Sequence, residues 1–532
     1  MSAALWQPFL AGLGLTVAIE ALLRPAVPAF WRRPWASPVV HLGSWTLLFA
    51  LFLLVLQRAW FAAGVIAALQ LVVVQSSNTK SQTLNEPFIC QDFEYFLDAL
   101  RHPRLYVPFF GIGLALAAGV AGALAIAAFL WLEPSLVTRQ GSGPFLWAVA
   151  TLLSVALLLL WVGLRHLPPT TLEPQRDLAH LGLFGALWAY GRQALVPLDT
   201  ERLDSPFATL PDRPAEGRLP DLVAVQSESF FDPRDWCPRV RRDLLPHFDA
   251  LCAEALHHGR LRVPAWGANT VRTECAFLTG LDEARLGIHR FNPYRQLVRR
   301  DLPNLVANLR HLGYHTVCVH PYPASFYFRD RVMPRLGFER FLDISDFEPS
   351  DRDGQYIGDL AVAEKVEALL AGADDRPLFI FVITMENHGP LHLERPVPDD
   401  AYALLATPEA RPEACDDLAI YLRHLVNADR MIARLHRAMG THPRPSLLAW
   451  YGDHVPILPP AYRRFGIPDG HTHYAIWSPQ ANTRTPSQER HIADLGPLLR
   501  ETLLALAAAP HPITQPNSTT AGRASTIRSK ND

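Results

Sequence analysis

The chain has 532 residues, with 49 Lys plus Arg against 51 Asp plus Glu and a formal net charge of −2. That length exceeds one compact core, so at least two structural units are expected. The near-neutral balance carries no basic footprint for nucleic acid. Six scattered cysteines (Cys90, Cys237, Cys252, Cys275, Cys318, Cys415) with no CxxC pair argue against a structural zinc site.

The first third is strongly apolar. A membrane span needs about 20 apolar residues, and five stretches qualify, roughly 5–23, 39–56, 60–74, 107–132 and 145–164. The first lacks the basic start and cleavage site of a removable signal peptide, and Glu20 makes it the weakest of the five. A short link containing Arg58 separates the second from the third, which predicts an antiparallel hairpin. The fourth is rich in Ala and Gly, which let helices approach closely in lipid. The third loop, 76–103, mixes polar residues with Phe88, Phe93, Tyr95, Phe96 and Leu97, the pattern of an interfacial amphipathic segment or an ordinary loop helix.

The loops between these spans differ in basic charge. Arg24, Arg32 and Arg33 lie in the first loop and Lys80, Arg101 and Arg104 in the third, against Arg58 and Arg139 in the second and fourth. Taken literally, the positive-inside rule puts the C-terminal part in the cytoplasm.

Residues 168–218 are broken by Pro and Gly and read as a linker with one helical piece near 181–190, carrying the next unit away from the membrane. After it, short apolar runs at 222–226, 315–320, 378–384 and 446–451 alternate with amphipathic stretches at 302–312, 357–370 and 418–439. That alternation predicts an α/β domain with a mainly parallel sheet. The tail after Pro510 has no apolar period and reads as disordered.

Chemistry-bearing residues collect at the ends of these runs, where open α/β sheets gather ligands. Glu228 follows the run that starts at Asp221, and Asp453-His454 follows the run that ends at Gly452. Thr270 lies between them, after the glycine loop Trp266-Gly267 and before an apolar helix. A helix N-terminus favours an anion. A hydroxyl there is in most proteins a plain cap; as a nucleophile it needs activation, which metal coordination supplies. Three oxygens and one nitrogen suit a hard or borderline divalent ion such as Mn²⁺, Mg²⁺ or Zn²⁺. Phe326-Tyr327-Phe328-Arg329-Asp330-Arg331 offers guanidinium groups for phosphate, although Arg329 could equally pair with Asp330. His388 again follows a strand; His320, His471 and His473 fit supporting roles better. Glu274 could cap or brace its helix.

Ser227-Glu228-Ser229-Phe230, Asn269-Thr270-Val271-Arg272-Thr273-Glu274 with Leu278-Thr279-Gly280, Phe326 to Arg331 with Leu336-Gly337-Phe338, Asn387-His388 and Tyr451-Gly452-Asp453-His454 occur in one order. That order resembles the lipoteichoic acid synthases and phosphoglycerol transferases, sulfatase-like members of the alkaline phosphatase superfamily. Five spans followed by Ser77-Asn78-Thr79-Lys80 and Glu86-Pro87 extend the resemblance into the membrane part. It implies an N-terminal α-helical transmembrane bundle of about five helices (1–167), a linker (168–218), a C-terminal α/β sulfatase-like, alkaline phosphatase-type domain with a mainly parallel central sheet (219–509) and a tail (510–532).

The resemblance further implies that Glu228, Thr270, Asp453 and His454 bind one divalent metal, commonly Mn²⁺, with Thr270 as nucleophile and Arg329, His388 and Tyr327 on the head group. Tyr327 stands where the family often has Trp, and Cys275 where it more often has Phe. The implied reaction moves glycerophosphate from a membrane phospholipid, phosphatidylglycerol first, through a phospho-threonine to a glycan or polyglycerolphosphate acceptor. The implied location is a bacterial inner membrane with the catalytic domain outside, against the charge count. Rival readings are a phosphoethanolamine transferase, a sulfatase (disfavoured because Thr270-Val271-Arg272-Thr273 lacks the C/S-x-P-x-R context) and an inactive membrane sensor or binding module, which a missing metal ligand would favour.

Overall fold

The computed structural model describes residues 3–94, 112–213, 218–397, 415–481 and 484–508. The start of the expected fourth span, the second half of the third loop and the 510–532 tail lie outside the described residues.

The membrane part contains α1 (Ala3–Glu20), α2 (Ala36–Leu56), α3 (Ala59–Leu84), α4 (Ile112–Leu132) and α5 (Ser142–His166). Among the described residues, four helical stretches are long and apolar enough to cross a membrane, and the first apolar helix is shorter. The tight α2–α3 hairpin turns at Gln57, whose φ of 57° closes α2 in the left-handed region. The open N–H groups at the start of α3 are met from afar: Trp60 N and Phe61 N each donate to the Glu133 carboxylate at 2.9 Å. Close helix approach occurs between α2 and α5, where a Cβ on Gly43 would meet the Leu160 backbone N at 3.0 Å. Among the described residues of α4, Gly119 and Gly122 face open space, and Phe129 stacks on Phe61 of α3.

The stretch expected to be a spacer docks instead. Its helix α6 runs Pro174–Ala194, longer than the predicted piece and kinked at Gly182 (φ 70°). The kink frees Leu183 N to donate to Glu20 Oε1 at 2.6 Å. Arg33 Nη1 donates to the other oxygen of Glu20 at 2.8 Å, so the acid that weakened the first span is satisfied from both sides. Arg33 is paired with Glu20 and Lys80 with Glu86 and Asp92, the latter two at 2.6 and 2.7 Å; acids count little in the positive-inside rule, so the pairing leaves the charge count as it stands.

The C-terminal part is built on strands β1 (Asp221–Ser227), β2 (His257–Arg262), β3 (His315–Val319), β4 (Arg340–Leu342), β5 (Leu378–Ile383), β6 (Ser446–Gly452), β7 (Thr472–Trp477) and β8 (Arg490–His491). They form one sheet in the order β8-β2-β7-β6-β1-β5-β3-β4, with only β7 running against its neighbours. Side chains alternate between two buried cores. Val223, Val225, Ile380, Val382, Leu448 and Trp450 face one, with helix α7 (Asp416–Gly440) above it. Leu222, Ala224, Phe379, Phe381, Ala449 and Tyr451 face the other. Burial on both faces is why β1, β5 and β6 read as continuous apolar runs.

Candidate active site

Parallel pairing aligns three strand ends. Gln226 pairs with Ile383 on one side and Tyr451 on the other, and Ser227 with Gly452. Glu228, Thr384 and Asp453 therefore leave the sheet at one edge. Two bonds fix them there: Glu228 N donates to Thr384 Oγ1 at 2.9 Å and Ser229 N to Asp453 Oδ1 at 2.8 Å. The chain then turns sharply at Ser229, with φ of 53°. Gly452 permits the crossing, because a Cβ there would overlap the Phe230 carbonyl oxygen.

Glu228, Asp453 and His454 offer ligand atoms that all lie within 4.8 Å of one another. All three are buried, yet Asp453 Oδ2 and His454 Nε2 have no hydrogen-bond partner. Orphaned buried atoms of this kind need an explanation, and a cation supplies one. His454 Nδ1 lies 3.1 Å from the Val455 carbonyl oxygen. As a donor there, it sets the tautomer that leaves the Nε2 lone pair free, the arrangement metal-binding histidines adopt. Burial and the charge of Asp453 push Glu228 up to about 8, against smaller opposing pulls from His454, Ser229 and Arg329. The donor set fits a divalent metal ion.

Helix α8 (Thr270–Thr279) starts at Thr270, after Asn269 in the left-handed region at φ 65°. Thr273 Oγ1 donates to the Asp453 backbone oxygen at 2.8 Å. Thr270 lies one turn earlier on the same helix face, at the helix N-terminus, and is buried.

Arg329 is fully buried and engaged with the other groups of this edge. Its Nε and Nη2 donate to Glu274 at 3.1 and 2.7 Å, and Nη1 meets His320 Nε2 at 3.1 Å. Burial and the Arg329 charge drive His320 well below the usual imidazole value, so it accepts from Arg329 through Nε2 and donates through Nδ1 to the Ile383 oxygen at 3.2 Å. Glu274 braces rather than caps, and it also accepts from Tyr294. Of five guanidinium donors three are spent, leaving one N–H on each terminal nitrogen. Tyr327 lies beneath the guanidinium, 5.4 Å from ring centroid to carbon. Tyr327 and Phe328 both have positive φ, 55° and 59°, strain of the kind that clusters at ligand sites.

His388 is held at Nδ1 by the Gly389 oxygen at 2.6 Å and edge-on to Tyr356. Burial lowers its pKa, with the fields of Asp453 and Arg329 both reaching it. The neutral ring keeps Nε2 for a ligand. His471 and His473 lie apart from this group, His471 against Asp469 and Glu489 and His473 beside Asp232 N and Phe248. Asn387, the first residue of the Asn387-His388 motif, is buried with neither amide atom hydrogen-bonded; adjacency to His388 is its one sequence signal. All six cysteines are free thiols.

The family profile described as Sulfatase matches residues 220–503. The chain is 26% identical over 478 residues to the capsular polysaccharide biosynthesis protein RkpI of Rhizobium meliloti (strain 1021), covering 85% of this chain and 84% of that protein. It is 25% identical to a putative cyclic beta-1,2-glucan modification protein of the same organism, over 86% of this chain and 74% of the relative. In fold it is similar to the integral membrane lipooligosaccharide phosphoethanolamine transferase A of Neisseria meningitidis, with a TM-score of 0.59 at 17% identity over 95% of this chain and 96% of the other.

Proposed function

Because the chain belongs to the sulfatase family, we propose that it is a membrane-anchored, metal-dependent phosphoglycerol transferase that takes glycerophosphate from a phospholipid, phosphatidylglycerol first, and passes it to a glycan. The observation that carries this reading is the buried Glu228, Asp453 and His454 set with two unmet ligand atoms, beside a helix that begins with Thr270.

Glu228, Asp453, His454 and Thr270 would hold one divalent cation, Mn²⁺ first with Mg²⁺ or Zn²⁺ compatible, and when bound it would lower the hydroxyl pKa and offset phosphoryl charge. The remaining chemistry belongs to the chain. Thr270 Oγ gives up its proton and bonds to phosphorus while the bond to the diacylglycerol oxygen breaks and that oxygen takes a proton. The N–H groups at the start of α8 and the two unspent Arg329 N–H bonds meet the phosphoryl oxygens. Tyr327 and His388 line the head group, His388 through Nε2. An acceptor hydroxyl then attacks from the opposite side and regenerates Thr270. The two rhizobial relatives, named for a capsular polysaccharide and a glucan, support a glycan acceptor over a polyglycerolphosphate chain. The likeness along nearly the whole chain to the integral membrane phosphoethanolamine transferase supports a catalytic domain on the outer face of a bacterial inner membrane, against the charge count.

The same site chemistry would move ethanolamine phosphate, so the test carries both head groups. Full-length protein is incubated in vesicles with glycerol-labelled phosphatidylglycerol or ethanolamine-labelled phosphatidylethanolamine. Wild type should transfer glycerol label, and Thr270→Ala should lose about 10³-fold or more in rate. Transfer of ethanolamine label alone would replace the head group. Full activity in Thr270→Ala would remove the mechanism.

A further inference from the structure

We propose that Glu86, with Lys80 and Asp92, is a positioning latch that locks the nucleophile-bearing helix α8 to the emerging end of membrane helix α3. The proposal rests on Thr270 being the nucleophile. It gives a task to the Lys80 and Glu86-Pro87 motif, which the transfer chemistry leaves unused.

Helix α3 has 26 residues and is therefore about 39 Å long, against a hydrocarbon core of about 30 Å. That exceeds the core by about 9 Å, and its last turns carry Lys80 and Thr83. They reach the catalytic loop directly: a Cβ on Gly267, three residues before Thr270, would lie 3.2 Å from both Leu84 Cδ2 and the Thr83 oxygen. Two residues past Thr270, Arg272 grips Glu86 with both terminal nitrogens, at 2.8 and 3.1 Å. Lys80 Nζ donates to Glu86 and to Asp92 at 2.6 and 2.7 Å. Two cations and two anions close a neutral cluster in which every side chain is 13% exposed or less.

The surroundings keep the latch dry. Ile89 packs with Tyr190, Ile288 and Phe291 in one apolar cluster, and the Arg272 guanidinium lies over the Phe291 ring at 5.1 Å. Glu94 continues the contact by accepting from Asn292 at 3.2 Å. Burial alone would raise Glu86, but Arg272 and Lys80 bring it down to about 2, so it stays ionised through the neutral range. Three groups of the site pass through this one helix: Thr270, Thr273 on the Asp453 backbone, and Glu274 on Arg329. Fixing α8 to α3 therefore sets where Thr270 stands relative to the bilayer and its lipid donor.

The test uses full-length protein in vesicles and the variants Glu86→Gln, Glu86→Asp and Arg272→Gln. Amide exchange of residues 266–279 should quicken in Glu86→Gln while β1, β5 and β6 stay protected. Head-group transfer from lipid should fall about tenfold or more, the scale expected of misplacement rather than lost chemistry. Metal content should stay within about twofold of wild type, and hydrolysis of soluble bis(4-nitrophenyl) phosphate should fall clearly less than lipid transfer. Glu86→Asp should recover part of the lipid activity, and the Glu86→Gln/Arg272→Gln double variant should be no worse than either single one. Unchanged exchange, or parallel loss of both substrates and metal, would overturn the latch. If wild type proves to use no lipid donor, the functional reading fails by itself and the exchange measurement still decides the latch.

Discussion

Among the described residues, two acid–histidine clusters lie in this catalytic domain, and they differ in one respect that matters. Glu228, Asp453 and His454 form the first and Asp353, Glu386 and His424 the second, each with ligand-type atoms within 4.8 Å of one another. In the second, every nitrogen of His424 is spent: Nδ1 on Glu386 at 2.7 Å and Nε2 on Glu394 at 3.0 Å. Glu386 also accepts from Asn427 at 2.7 Å and from Asp359 N at 2.6 Å. Burial lowers the His424 pKa, but the bonds to Glu386 and Glu394 raise it to about 9, so this cluster contains its own cation. In the first cluster Asp453 Oδ2 and His454 Nε2 lie 3.3 Å apart and neither has a hydrogen-bond partner. Residue types alone do not make a metal site; unmet lone pairs do.

The sharpest way to break that contrast is substitution. Asp453→Asn should empty the purified full-length protein of metal by elemental analysis and cut head-group transfer by about 10³-fold. His424→Gln should keep its metal. Metal loss in His424→Gln would mean the second cluster is the binding site and the first is not.

A smaller effect comes from chelation. A ligand at 100 times its Kd stabilises by about 2.7 kcal/mol. Stripping the metal from wild type should therefore lower the melting temperature by several degrees, at about 2–4 °C per kcal/mol for a domain of this size. Asp453→Asn should show no shift with chelator, and His424→Gln should show the wild-type shift.

The smallest is a slope with pH. The folded value of His424 lies near 9, above its unfolded 6.5. Its contribution is therefore complete below about 6.5 and is lost as pH climbs through 9. The melting temperature of the metal-loaded protein should fall across that window, and His424→Gln should flatten the fall. A slope that survives the substitution assigns the titration elsewhere.

Much of the site was legible because of where it sits. Strands β1, β5 and β6 are buried on both faces, so each is a single apolar run, and the polar residue that ends each run is conspicuous. Strands β2 and β7 gave no such signal. β2 carries His257, His258, Arg260 and Arg262 near the sheet margin, and its neighbour β7 has the mixed run Thr472–Trp477. The capacity of Arg329 was legible as a guanidinium among aromatics, but its commitment to Glu274, 55 residues away, was not. Nor could charge counting see that Arg33 and Lys80 are paired with carboxylates.

By itself, then, the sequence determined the membrane helices, the parallel sheet and the residues that could bind a metal, because hydrophobic period and residue chemistry are local properties. Only the tertiary structure decided which of those groups remain unsatisfied and which are spent on one another. It also decided that residues 174–194 dock as α6 rather than act as a spacer, and that α8 abuts the end of α3. Satisfaction of a buried polar atom depends on partners tens to hundreds of residues away, and no window along the chain contains them.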